Sequence, residues 1–550
     1  MLRRHLPISV ALLSALSASA WASETDKSAG ADAPSPGLER KAENAPAPAP
    51  ADAAPTTVPA PPALAPEFAE RLAPDGKLSA AEREDRAALA KFYEGRQSAP
   101  LWVTAAGLSP QGAAVAAEIG KADDWGLEAS AFRLPKLAAG SEISAGQRAD
   151  AEIALSLAVL KYARYARGGR AEPLSLSRNL DRKLPLRDPG RVIDEISKSA
   201  SPSEYLRRLH PQHPQFEALR QKYLAARRDQ PVARAIAPPE ADAKAGKTKA
   251  ASPPEAPSAR KLLVNMEQWR WMPDELGDFY VTVNVPEFTL RVVKNGKVIH
   301  SERVIVGKTD KQTPVFSDEM EQVIFHPFWG VPDSIKRNEI LPSLARGSTG
   351  VLARHNLRIQ RGGRDIDPES VDWATVDMRQ FHVYQPPGGG NVLGVVKFRF
   401  PNKHDVYMHD TPDKKLFEAS VRTFSHGCMR VRDPMKLAEL LLAEDKEWPA
   451  SRVAAAVSNG RQDNQINLTR KFPVHMTYFT AAVEDGKLKT FADIYGHETR
   501  IAMGMEGKAH LIPKTKEDTG PIRAEAVGAL AETKAGAAKR DWMTRAFSNN

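Results

Sequence analysis

The chain has 550 residues, a formal net charge of +9 and a single cysteine, Cys428. One cysteine excludes an internal disulfide framework and leaves a free thiol. The positive balance suits nucleic acid, a membrane surface or an acidic polymer.

The first residues read as an export signal. Arg3, Arg4 and His5 precede an apolar run from Leu6 to Leu16, then small residues with a cleavage site at Ala18-Ser19-Ala20 or Ala20-Trp21-Ala22. The run is shorter than the ~20 residues of a spanning helix. Residues 1–22 are therefore assigned to a cleaved signal, with no stable membrane span afterwards. Export disfavours nucleic acid and favours the cell wall, whose free carboxylates suit a basic protein. Residues 23–77 are rich in Ala and Pro, as in Ala45-Pro46-Ala47-Pro48, and are expected to be a disordered spacer.

Residues 78–228 carry a helical pattern. Ile153, Leu157, Leu160 and Ala163 recur at helical spacing, and Gly168-Gly169 ends the run. Glu152, Lys161 and Arg167 are assigned to the wet parts of that helix. The region shows no metal-ligand cluster and no phosphate loop, so neither metal nor cofactor is expected. A second linker spans residues 229–260.

From residue 261 the period changes to that of strands. Val281, Val283 and Val285 alternate with polar partners, Asn295-Gly296 marks a hairpin, and Asp485-Gly486 a second turn. Asp433 and Pro434 open a helix with Leu437, Leu440 and Leu441 on its apolar face. Residues 497–550 lose periodicity and are expected to form a mostly disordered tail, so truncation after about Arg500 should leave the fold intact.

Chemistry concentrates in Ser425-His426-Gly427-Cys428-Met429-Arg430, with His409 upstream. A thiol with a pKa near ~8.5 is mostly protonated at neutral pH, and an imidazole can take its proton. Residues two apart on a strand share a face, which suits His426; His409 would arrive from a neighbouring strand, Asp405 to His409. Spacing leaves both open. Gly427 permits close backbone approach, so the Gly427 and Cys428 amides could face a developing oxyanion. One cysteine with scattered histidines lacks the paired spacing of a zinc site.

His409 followed by Ser425-His426-Gly427-Cys428-Met429-Arg430 resembles the signature of the L,D-transpeptidase (YkuD-domain) family, and the wider segment resembles its YcbB-like Gram-negative branch. The other matching stretches are Val264 to Trp271, His326-Pro327-Phe328-Trp329-Gly330-Val331-Pro332, Gln385-Pro386-Pro387-Gly388, and Asp405 to Pro412. The helical region, with Pro100-Leu101-Trp102, is similar to that branch's scaffold domain.

The resemblance implies an α+β chain: a helical scaffold, then a mostly β catalytic core over 261–496 with an inserted capping subdomain at about 333–396. It implies Cys428 as nucleophile, His409 as base, Gly427 and Cys428 as oxyanion hole, and His426 and Ser425 as further motif residues, with His426 structural. Tyr407, Trp329 and Arg430 fall at pocket positions. The implied partners are peptidoglycan tetrapeptide stems, donor and acceptor, in the periplasm, with D-alanine released and diaminopimelate cross-linked. The wall-binding module carried by many of the branch is not found here. An amidase that releases the same thioester to water, or a non-catalytic wall-binding protein, are the competing expectations.

Overall fold

The computed structural model describes residues 65–74, 76–137, 143–229 and 259–515. The export signal, most of both linkers and residues 516–550 lie outside the described residues.

Eight helices and a small hairpin form the scaffold. They are α1 (Pro66–Leu72), α2 (Ala80–Gly95), the hairpin β1 (Val103–Thr104) and β2 (Gly107–Leu108), α3 (Pro110–Gly120), α4 (Ala145–Gly168), α5 (Pro173–Leu176), α6 (Pro189–Ser197), α7 (Pro202–Arg208) and α8 (Pro214–Asp229). Ser79 and Ser144 start α2 and α4 with reciprocal capping boxes to Glu82 and Gln147. Leu89, Tyr93, Trp102, Val115, Leu155, Val159 and Ile193 fill the core between them.

Two expectations about this region are corrected. The scaffold begins at Pro66 rather than residue 78, because Phe68 and Leu72 of α1 insert into its core. Helix α4 has no wet face at Glu152 or Arg167. Glu152 is fully buried: Oε1 accepts from the Tyr93 hydroxyl and the Leu101 amide, and Oε2 accepts from the amides of Trp102 and Val103. It supplies acceptors for a turn of chain that lacks them, the usual condition for burying a carboxylate. Arg167 is buried facing the next domain, where Asp274 lies 2.5 Å away. Lys161 does keep a half-exposed place, its Nζ donating to the Ala131 carbonyl.

The second domain opens with α9 (Ala259–Arg270), which seams it to the scaffold. Trp269 stacks between His213 and Phe479, and Asn265 accepts from the Thr480 and Ala481 amides. Strands β3 (Phe279–Asn284), β4 (Thr289–Lys294), β5 (Lys297–Gly307) and β6 (Ser317–Phe325) follow. The chain then leaves the sheet for an insertion: β7 (Trp329–Gly330), α10 (Asp333–Ile335), a π-helical turn (Lys336–Ile340), α11 (Leu341–Leu344), α12 (Gly350–Arg354), β8 (Arg358–Arg361), β9 (Arg364–Asp365) and β10 (Phe381–Gln385). It returns through β11 (Val396–Arg399), β12 (Met408–His409), β13 (Thr423–Ser425), β14 (Met429–Val431), α13 (Pro434–Lys446), α14 (Ala450–Ser458), β15 (Asn464–Thr477), the hairpin β16 (Ala481–Glu484) and β17 (Lys487–Thr490), and α15 (His497–Met505).

The main sheet runs β13-β5-β14-β12-β11-β6-β15-β3-β4, and β4 also pairs with β5, so the strands from β5 round to β4 close on themselves. Closure removes the exposed edges an open sheet would present. Alternation sends Val396, Phe398, Met408 and Met429 into the interior, each fully buried, and their sequence neighbours to the other face. Each such burial contributes about 1.5–3 kcal/mol. The insertion has its own sheet, β7-β10-β8-β9, and its own core of Ile340, Leu344, Leu352, Trp373, Phe381 and Val383.

The tail expectation is also corrected for residues 497–515. Helix α15 places Ile501, Ala502 and Met505 in the catalytic core, and Ile512 joins them. Arg500 reaches back to donate to the Leu176 carbonyl of the scaffold at 2.7 Å. The apolar positions are too few and too short in span to show a clear period, yet they meet a ready-made groove beside α5 and α9.

Candidate active site

Three neighbouring strands bring the predicted residues together. In the parallel β12–β14 pair Met408 lies beside Met429 and His409 beside Arg430, and the Met429 amide donates to the Tyr407 carbonyl. Since side chains alternate, Tyr407, His409, Cys428 and Arg430 share the face opposite the two buried methionines. Antiparallel β11 adds Lys397, paired directly with His409.

Ser425 shapes the loop that carries the cysteine. It is buried; its Oγ donates to the Cys428 carbonyl (2.6 Å) and accepts from the Gly427 amide (3.1 Å). Gly427 has φ = 113°, a conformation glycine adopts without strain. Thr313, which the sequence did not single out, donates from Oγ1 to the Gly427 carbonyl at 2.8 Å and accepts from the Gly307 amide. The Tyr495 hydroxyl, donating to the Gly307 carbonyl, supports that contact from behind. The Gly427 amide is therefore turned inward to Ser425, not outward to substrate. Of the two amides assigned to an oxyanion hole, Gly427 is committed elsewhere in this structure.

His409 is 5 % exposed. Its Nδ1 lies in hydrogen-bond contact with the Asp410 carbonyl, which can only accept, so Nδ1 carries the proton and the Nε2 lone pair is available. Asp410 is itself fixed: its carboxylate accepts from the Val395 amide and from Lys414 Nζ. Gly394, at φ = 60°, is needed beside it, because a Cβ there would stand 2.2 Å from Asp410 Oδ2. Burial first, then the charges of Arg430 and Lys397, push His409 down to about 3. It is a neutral imidazole at any physiological pH.

The Tyr407 hydroxyl is hydrogen-bonded to Trp329 and to Cys428, and enclosure with the sulfur nearby drives its pKa well up. Trp329 belongs to β7 of the insertion, so the cap supplies a donor to the site. His426 points away to the cap as well, with Nε2 2.8 Å from Glu339 Oε1. Arg430 is half-buried and its Nε has no hydrogen-bond partner. Burial lowers its pKa, while Asp413 and Cys428 oppose that. An enclosed guanidinium with an unused N–H is suited to a carboxylate ligand.

The class this architecture defines is a catalytic domain built on a closed, mostly β sheet, with a thiol and a neutral imidazole on adjacent strands under an inserted cap. Residues 87–222 match the scaffold domain family, and residues 278–454 match the L,D-transpeptidase catalytic domain family, YkuD. A Haemophilus influenzae protein named "Putative L,D-transpeptidase" is 30% identical over 248 residues, covering 45% of this chain and 50% of that relative. The chain thus spans about half the length of the curated relative it matches. Two solved structures are weakly similar. L,D-transpeptidase 1 of Mycobacterium tuberculosis is 11% identical, with 36% of this chain and 61% of that one covered and a TM-score of 0.16. The Ldtfm–avibactam carbamoyl enzyme is 14% identical, with 36% and 49% covered and a TM-score of 0.14. Those scores leave the assignment resting on the two domain matches and the curated relative. Residues 278–454 are thus an L,D-transpeptidase catalytic domain of the YkuD family, preceded by a scaffold domain at residues 87–222.

Proposed function

We propose that this protein is a cysteine-dependent L,D-transpeptidase that joins peptidoglycan stems through diaminopimelate residues after export to the periplasm. The observation that carries this reading is Cys428 held on one face with Tyr407, His409 and Arg430. Cys428 Sγ attacks the carbonyl of the third residue of a tetrapeptide donor. Its proton passes to His409 Nε2 and on to the departing D-alanine amine as the C–N bond breaks. The side-chain amine of diaminopimelate on a second stem then attacks the thioester, giving up a proton while sulfur leaves. Arg430 is suited to a stem carboxylate. Tyr407 orients the sulfur through its hydroxyl.

Burial of His409 supports a transient role for the imidazole. With a pKa held so low it accepts the thiol proton only briefly and returns it readily to the leaving amine. The cap supports transfer over hydrolysis, since covering the thioester keeps water from competing with the amine.

Purified full chain incubated with tetrapeptide stems should yield cross-linked dimers and free D-alanine, with a thioester on Cys428 detectable by mass spectrometry. Tripeptides and D-alanine without dimers would establish the amidase instead. An inert thiol toward both stems and a carbapenem would establish a non-catalytic binder.

A further inference from the structure

Strand β11 offers a residue that the reaction above does not use. Lys397 stands opposite His409 in the antiparallel pair, so its side chain emerges on the site face. Its Nζ lies 3.9 Å from the centroid of the Tyr407 ring. Tyr407 in turn bonds to Cys428 through its hydroxyl. Among the described residues no carboxylate lies within ion-pair distance of Lys397; Asp405 and Asp463 act on it only through space, as does Cys428. An enclosed ammonium without a paired carboxylate bears an uncompensated desolvation cost, and such groups concentrate at functional sites. The ring face offsets part of that cost. Of the negative groups acting on it through space, Asp405 comes first and the Cys428 sulfur second.

The charges around the sulfur make the need clear. Tyr407 and His409 face it from β12 and the strap before it, Lys397 from β11, and Arg430 from β14. Beyond them, Asp405, Arg399 and Asp463 act on Lys397, Asp405 also on Tyr407, and Asp413 on Arg430. His409 resists protonation, so a standing imidazolium cannot be the partner of a thiolate here. A fixed cation can.

We propose that Lys397 is a positioning residue that favours ionisation of Cys428, its ammonium seated on the Tyr407 ring and stabilising, through that ring and its hydroxyl, the thiolate that forms as the thiol proton passes to His409. The inference rests on Cys428 being the nucleophile. It assigns charge stabilisation to Lys397 and Arg430, and leaves His409 the single task of moving the proton.

Because the chain has one cysteine, ultraviolet titration of the intact protein, with the tyrosinate signal of Cys428→Ser subtracted, reports the Cys428 thiolate. Iodoacetamide alkylation, in which an S–C bond forms, iodide leaves and the thiol proton goes to buffer, gives the same profile as a rate. In the wild-type chain the midpoint should fall below the ~8.5 of a free cysteine. Lys397→Met should raise it by about one pH unit, roughly a tenfold loss of alkylation rate below the midpoint. Lys397→Arg should restore most of the shift, which a purely packing role would not. A wild-type midpoint at or above the free value overturns the proposal without any variant, as does a folded Lys397→Met protein with an unchanged midpoint. A shifted midpoint with no turnover on stems would overturn the transpeptidase reading while leaving this one in place.

Discussion

His426 extends Nε2 to within 2.8 Å of Glu339 Oε1, on the π-helical turn of the inserted cap. The histidine nearest the nucleophile in sequence thus serves as an attachment between catalytic loop and cap. Trp329, bonded to Tyr407, is a second attachment from the same insertion. Cap position and nucleophile geometry are mechanically joined.

The first prediction follows from that contact. Glu339→Gln keeps the shape but removes the charge, so amides of 333–385 should exchange faster in hydrogen-exchange measurements while the main sheet is unchanged. Donor hydrolysis should rise relative to cross-linking. Identical exchange in variant and wild type would show that the contact does not hold the cap.

The nucleophile is tested by Cys428→Ser. The hydroxyl is far less ionised than the thiol near neutrality. Cross-linking and carbapenem adducts should both vanish, with circular dichroism unchanged. Near-normal turnover would rule out the thioester route.

The two histidines should separate. His409→Ala should lower acylation by about two to four orders of magnitude, the scale of a lost acid–base group. His426→Ala should cost less, and its loss should resemble that of Glu339→Gln. Stopped-flow acylation by a carbapenem distinguishes them, and a larger loss for His426 would reverse the assignment.

Truncation after Arg500 should now destabilise the protein. It removes Ile501 and Met505 from the core, each contributing about 1.5–3 kcal/mol. A thermal melt should show a clearly lowered midpoint.

Buried neutral histidines give stability an acid limit. Burial holds His409 at about 3 and His475 and His213 at about 4, against 6.5 for the free side chain. The unfolded chain binds these protons first, so the stabilisation is fully present above about 6.5 and is lost as pH falls toward 4 and then 3. Urea midpoints measured from pH 7 to pH 4 should decline steadily. A flat profile would show that these rings protonate without opening the fold.

Much of this structure was legible because strands buried on one face must alternate. Val281 and Val283, the Asn295-Gly296 hairpin and the Asp433 cap stand where that pattern put them, whereas Val285 opens a 3-10 turn and β3 is buried on both faces. The site residues were legible through motif order, since β12 and β14 need only a short reach between His409 and Cys428. What escaped depended on pairing. Lys397 looks like any outward-facing lysine until its neighbour proves to be His409. Thr313 lies far from the motif and meets Gly427 because β5 pairs with β13, setting Gly307 beside Ser425. Glu152 and Arg167 were misplaced because α4, rich in alanine, is wrapped on all sides, and helical spacing alone does not reveal a carboxylate that satisfies a neighbouring loop.

The insertion keeps a core separate from that of the closed sheet, and its two ends enter and leave at β7 and β11. A mutation at Trp373 or Leu344 would therefore loosen the cover while leaving the closed sheet folded, and would reach the site only through His426–Glu339 and Trp329–Tyr407. The consequence is thermodynamic: a segment with its own core can open as a unit, at a lower free energy than global unfolding, while the closed sheet stays folded.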